Sequence, residues 1–158
     1  MTTFTRWFLV NAVVFTAIFF AEQKGALSLI IENDLSYLSI VIMLLYVVFS
    51  GMVGRLCYLA DKIKEERKEE ARQFLIKRAE TGWFAAEHFF SLGLLGTIIG
   101  LCIATKTNLE GTISVSEVVA GLKVGLNTAF YTTICGIVFS LPLQIQLMVL
   151  KIKLENND

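Results

Sequence analysis

The chain has 158 residues, of which 55% are hydrophobic and 18% charged, with 14 basic residues balancing 14 acidic ones. A soluble domain of this size spreads its apolar residues along the chain, whereas here they come in long blocks, the pattern of a chain solvated by lipid. Zero net charge gives no global pull toward nucleic acid; the odd trio Cys57, Cys102 and Cys135 lacks metal-ligand spacing, argues against a disulfide framework and reads as helix-packing thiols.

The first apolar run extends from Trp7 to Ala21, between Arg6 and Glu22. It is short for a span, and its length is that of a secretory signal. Phe19-Phe20-Ala21 makes a poor cleavage site, however, so the run is read as a retained membrane helix. The second run, Leu35 to Gly54, is long enough to cross the hydrocarbon core. After it, residues 58–82 carry no proline and only a terminal glycine. Asp61/Lys64, Glu65/Lys68 and Glu69/Arg72 are opposite charges three residues apart, a spacing that predicts an exposed helix continuing span two. Such an arm either simply sets topology as a solvated charged face or docks a cytoplasmic partner.

The third run covers Phe84 to Thr105. The fourth covers 117–147 and stays apolar to Leu150, interrupted by Lys123 and a few polar side chains. At 1.5 Å per residue it is on the order of 50 Å long against a core of about 30 Å, so it projects from the membrane beyond Pro142. Charge fixes the orientation. Eight of the 14 Lys and Arg residues, from Arg55 to Arg78, lie between spans two and three. Arg6 precedes span one, Lys151 and Lys153 follow span four, and the other two loops hold only Lys24 and Lys106. Four spans put all the cation-rich segments on one side, which the positive-inside rule assigns to the cytoplasm together with both termini. The expected fold is therefore all-α. It is one membrane domain, residues 1–158, with four transmembrane helices, of which the second and fourth extend into the cytoplasm.

Spans three and four carry a further pattern. On a helix of 100° per residue, Gly93, Gly96, Thr97, Gly100 and Ala104 fall within an arc of about 100°. Gly121, Gly125, Thr128, Ala129, Thr132, Thr133, Gly136 and Ser140 fall within about 140°, with Leu122 and Phe139 intruding. Lipid supplies no hydrophobic force between helices, so small residues mark close backbone approach; Gly96/Gly100 and Gly121/Gly125 are both Gly-x-x-x-Gly pairs. The bulky side of span four, with Leu126, Phe130, Tyr131, Ile134 and Val138, should meet lipid or the first two spans. One threonine can satisfy itself on its own helix. Thr97, Thr128, Thr132 and Thr133 together, with Asn127 nearby, make a neutral hydrogen-bonding wall suited to a carboxylic acid or a small cation supplied by another chain. No acid lies mid-span, so the chain holds no carboxylate relay of its own. Glu87 and His88, one turn inside span three, either snorkel to the interface or serve as an ion exit. Lys123 snorkels at the outer end. One histidine and no nucleophile motif leave nothing to build a catalytic or metal site from, so no enzyme is expected.

Gly93-Leu-Leu-Gly96-Thr97-Ile-Ile-Gly100, followed by Gly121-Leu-Lys-Val-Gly125-Leu-Asn-Thr-Ala-Phe-Tyr-Thr132-Thr133-Ile-Cys-Gly136 and Pro142, resembles the MotA/TolQ/ExbB proton-channel family over roughly the last seventy residues. The spacing of Thr133, Gly136 and Pro142 is similar to ExbB and TolQ; the Ala-Phe-Tyr-Thr-Thr stretch and the four spans are more similar to MotA. The resemblance implies a homopentamer in a bacterial inner membrane, enclosing the single-span helices of a dimer like MotB, ExbD or TolR that carries the ion-accepting aspartate. By position, Thr97 and Thr133 would line the ion path, with Thr132 and Thr128 beside them. The glycines would pack helices, and proton or sodium would be transported without any bound cofactor. Phe90 stands where the family usually has proline, Thr128 where ExbB-type chains place a glutamate, and the cytoplasmic segment is much shorter than in flagellar MotA. These departures suggest a minimal stator-like subunit outside the flagellum. The competing reading is a structural four-helix scaffold with no ion path.

Overall fold

The computed structural model describes residues 2–63, 68–106 and 115–155. Among them are five helices and no strand: α1 (Thr3–Gln23), α2 (Ala26–Asn33), α3 (Leu38–Ala60), α4 (Lys68–Lys106) and α5 (Val115–Glu155). All but α2 are long and apolar enough to cross a membrane, with mean hydropathies between 1.7 and 2.2. The all-α expectation with four spans therefore holds, although α2 occupies what the sequence reads as a plain outer loop.

Local chemistry explains where the helices begin and end. Thr2 caps α1, its hydroxyl accepting from the Thr5 amide at 3.3 Å. The chain then turns through Gly25 at φ 71°, a left-handed conformation that glycine adopts without a Cβ penalty. The N-terminus of α3 is held by Asp34, which is only 2% exposed. Its carboxylate accepts from the Ser36 amide at 3.0 Å, the Ser36 hydroxyl at 2.6 Å and the Ser39 amide at 2.8 Å. These bonds meet donors that the first turn of a helix leaves open. They also hold Tyr37 at φ 56°, the one non-glycine residue with positive φ among those described.

α3 runs past Gly54 only to Ala60, and a turn follows at Asp61 and Lys62. A single helix continuing span two through 58–82 is thus not what forms. From Lys68 onward those residues belong to α4. The physical reason lies at Asp61, whose carboxylate is engaged by the amides of Thr3 and Phe4 at 3.0 and 2.9 Å, tying the end of α3 to the start of α1. Of the expected charge pairs, Glu69 meets Arg72 at 3.8 Å; Asp61/Lys64 and Glu65/Lys68 lie outside the described side chains.

At 1.5 Å per residue α4 and α5 are each about 60 Å long, so both extend well beyond a core of about 30 Å. They pair along most of their length, forming the largest interface in the molecule, and α3 lies against both. The core follows this contact. Ile42, Tyr46, Val53 and Cys57 of α3 meet Leu75, Ala86 and Phe89 of α4 and Leu143, Leu147, Leu150 and Leu154 of α5. α1 is the most peripheral span; it packs its Trp7 indole onto the bare backbone of Gly54. The end of α3, the start of α1, the first turns of α4 around Leu75 and the end of α5 gather at one end, here termed the basic end.

The α4–α5 seam and its threonine pair

The two small-residue faces read from the sequence meet each other. A Cβ on Gly100 would lie 2.5 Å from the Gly125 carbonyl oxygen and 2.7 Å from the Ala129 nitrogen, so backbone touches backbone there. About three turns toward the basic end, a Cβ on Gly136 would lie 2.7 Å from the Phe89 carbonyl oxygen. Gly96 makes room for the side chain of Thr132, and Gly93 sits against the backbone of Thr132, Thr133 and Gly136. Gly121 is half-buried one turn before Gly125. Such approach is what small residues permit in lipid, where packing and hydrogen bonds must do what hydrophobic burial does in water.

The seam sorts the four threonines into two kinds. Thr128 and Thr132 are fully buried within the chain. Thr132 donates to its own helix, with Thr128 O at 2.9 Å and Ala129 O at 3.1 Å. Thr128 faces the α2–α3 turn, where its hydroxyl lies 3.0 Å from Asn33 O and accepts from the Leu35 amide at 3.3 Å. Asn127 reaches the same turn, donating to Asn33 Oδ1 at 3.3 Å. These residues fasten α5 to the α2–α3 turn.

Thr97 and Thr133 are instead half-buried on the open rim of the seam. Their hydroxyl oxygens are 2.8 Å apart. Thr97 Oγ1 also lies 3.1 Å from Gly93 O, and Thr133 Oγ1 lies 3.0 Å from Ala129 O and 3.4 Å from Gly93 O. Two hydroxyls carry two protons, and at 2.8 Å one of them must donate to the other. The pair therefore keeps lone pairs for an incoming donor or cation. Around it the open face is apolar, with exposed Leu94 and Leu101 on α4 and Leu126, Phe130 and Ile137 on α5.

Residues 58–157 match the model of the MotA/TolQ/ExbB proton channel family. The chain belongs to that family. The match covers more than half of the chain and includes both helices of the seam. Comparison with curated proteins and with solved structures gave no match. Membership makes the chain a membrane protein with an ion-channel role in complexes where the family works with partner proteins.

Two polar groupings were not singled out from sequence. Asn11 of α1, Tyr46 and Ser50 of α3 and Gln146 of α5 form a network in which every member is buried. Tyr46 donates to Asn11 Oδ1 at 3.3 Å, Ser50 Oγ lies 2.9 Å from both Asn11 Oδ1 and Gln146 Oε1, and Gln146 Nε2 donates to Tyr46 at 3.2 Å. The Trp7 indole adds a bond to Ser50 O at 3.0 Å. Ser140 and Gln144 form the second grouping. Ser140 donates to Ala86 O at 2.7 Å and accepts from Gln144 Nε2 at 3.0 Å. Gln144 and Gln146, set in an apolar run beyond Pro142, were the available signal. Of the charged residues weighed at the span ends, His88 turns back onto Phe84, its ring stacked at 3.8 Å and Nδ1 2.7 Å from Phe84 O. Glu87 and Lys123 are exposed.

Proposed function

We propose that this chain is the ion-channel subunit of an inner-membrane, ion-driven motor or energiser. Five copies surround the single-span helices of a dimeric MotB-, ExbD- or TolR-like partner, with both termini and the basic end in the cytoplasm. The partner supplies the membrane aspartate, and proton or sodium flow past it does mechanical work. The observation that carries this reading is the Thr97–Thr133 pair, 2.8 Å apart on the open rim of a seam whose backbones are in contact. A neutral pair of hydroxyls can accept a hydrogen bond from a protonated aspartic acid. It can also replace part of the hydration shell of a cation, without trapping either as a fixed charge would. The glycine contacts hold the distance between the hydroxyls, and Thr128 and Thr132 brace the wall from behind.

The test is the Thr97→Val, Thr133→Val double variant in the complex purified from its natural operon. Interhelical hydrogen bonds in membranes contribute about 0.6 kcal/mol each on average, so assembly should survive. Native mass spectrometry should then find five copies of the chain with two of a smaller single-span protein, while ion-dependent output is abolished. Unchanged output would sink the reading. A monomer, dimer or tetramer without a partner would favour the scaffold.

A further inference from the structure

Toward the basic end, the open rim of the α4–α5 seam widens into a groove of about 440 Å³ lined by Glu87, Phe90, Ile137, Ser140, Leu141 and Gln144. Glu87 is the one ionisable group in that lining. It stands ten residues from Thr97 on α4, and Gln144 stands eleven from Thr133 on α5, so both lie roughly 15 Å along the helices from the threonine pair. The antiparallel helices thus bring the two side chains to one level. At 100° per residue Glu87, Phe90 and Thr97 share one side of α4, and Gln144, Ile137 and Thr133 share one side of α5. Phe90 and Ile137, which also line the groove, are apolar and lie between the two polar levels along the helices. Gln144 Nε2 is committed to Ser140 Oγ and Ser140 to Ala86 O. Gln144 Oε1 is left as a second acceptor in the lining that it shares with the Glu87 carboxylate. Among the described residues, no ion pair neutralises that carboxylate.

We infer that Glu87, with Gln144 in the same groove, is the cytoplasmic relay of the ion path, taking up the ion once it has passed Phe90 and Ile137 and releasing it to cytoplasmic water. This rests on the ion-path reading of the threonine pair. A proton converts the Glu87 carboxylate to the neutral acid and then leaves it, and nothing is oxidised or reduced. A sodium ion exchanges water ligands for the carboxylate and Gln144 Oε1 and then regains them. A carboxylate at the mouth of a neutral path favours either cation over anions.

The experiment compares ion flux through the operon-purified complex in proteoliposomes, read in parallel with pH-sensitive and sodium-sensitive dyes that separate the two cations. Glu87→Gln should lower flux by at least about tenfold, as loss of a positioned proton carrier does, with subunit stoichiometry unchanged. Glu87→Asp should restore most of it, and His88→Gln, outside the groove, should leave it intact. Wild-type flux in Glu87→Gln, alongside lost flux in the threonine double variant, overturns the relay and leaves the ion path standing. Equal loss in Glu87→Gln and Glu87→Asp assigns the residue to packing and also overturns it. Full flux in the threonine double variant removes the reading on which the relay rests.

Discussion

Along α5, the contact with α4 and the contact with α1 and α3 are made by opposite means. Against α4, in the stretch facing Gly93 to Ala104, the helix offers Gly125, Ala129 and Gly136, and backbone meets backbone. Against α1 and α3 it offers Gln146, which reaches Tyr46 and Ser50 and through them Asn11. Backbone contact leaves little to adjust. It suits the seam that must hold two hydroxyls 2.8 Å apart. A side-chain network is directional but can rearrange, which suits spans that need the right register and nothing finer. In lipid, where apolar burial does not discriminate between helix and acyl chain, these are the two available ways of specifying a neighbour. The chain uses each where its stiffness fits the task.

The largest effect separating the two regions is expected at Gly100. In Gly100→Leu the new side chain starts 2.5 Å from the Gly125 carbonyl oxygen, and no rotamer relieves a clash with backbone. Overpacking ordinarily costs about 1–3 kcal/mol, and here the helices themselves must part, so a loss of about 3 kcal/mol or more is expected. Thermal unfolding in mild detergent should show a large drop in midpoint, with ion output lost as the threonine pair one turn away opens. Gly51→Ala, facing open space on α3, should change the midpoint little. A Gly100→Leu protein as stable as the wild type would mean the seam is not a rigid backbone contact.

Gln146→Leu probes the other region. It removes the donor to Tyr46 and one acceptor of Ser50 within a buried network. Stranding such groups costs about 1–3 kcal/mol in water-soluble cores, and membrane values run lower, so about 1–2 kcal/mol is expected. Because the seam is untouched, ion flux in the assembled complex should persist. Asn11→Leu should cost a similar amount, and the double variant less than the sum, since both act on one network. Additive losses would show that the two residues are independent and the network is not a unit.

How much of this was legible in the sequence follows the same division. The seam was readable because its signal is repetitive. Gly93, Gly96 and Gly100 recur at helical spacing, as do Gly121, Gly125 and Gly136, and a stripe of small residues in an apolar run has few other meanings. The four spans were readable from block hydropathy. The network was not, because Asn11, Tyr46, Ser50 and Gln146 are single polar residues far apart in the chain, and only the fold brings them together. The division of the threonines was illegible for a subtler reason. Thr132 and Thr133 are adjacent, so a 100° step sends one into the Gly96 hollow and leaves the other on the rim. Which one depends on the crossing of α4 and α5, and periodicity does not encode that crossing.

The smallest effect concerns the basic end, where the peripheral span is fastened by a charge. Burial pushes the Asp61 carboxyl upward, but the backbone amides of Phe4 and Thr3 stabilise its charged form and outweigh that, holding it below the usual carboxylate value. A group with a depressed folded value stabilises the protein above its unfolded value of about 3.9, and the contribution fades as pH falls through the folded value. Protection of the Thr3 and Phe4 amides against hydrogen exchange, taken relative to the intrinsic rate at each pH, should therefore be high near neutral pH and fall once pH drops below about 4. In Asp61→Asn the amide oxygen still accepts one bond but carries no charge. Protection at neutral pH should fall by about 1 kcal/mol, the usual contribution of a helix cap, and the acid-dependent step should vanish. Equal protection in the two proteins at neutral pH would show that α1 is held by Trp7 on Gly54 and the Asn11 network alone. The Trp7–Gly54 contact and the polar network would then do the fastening without the charge.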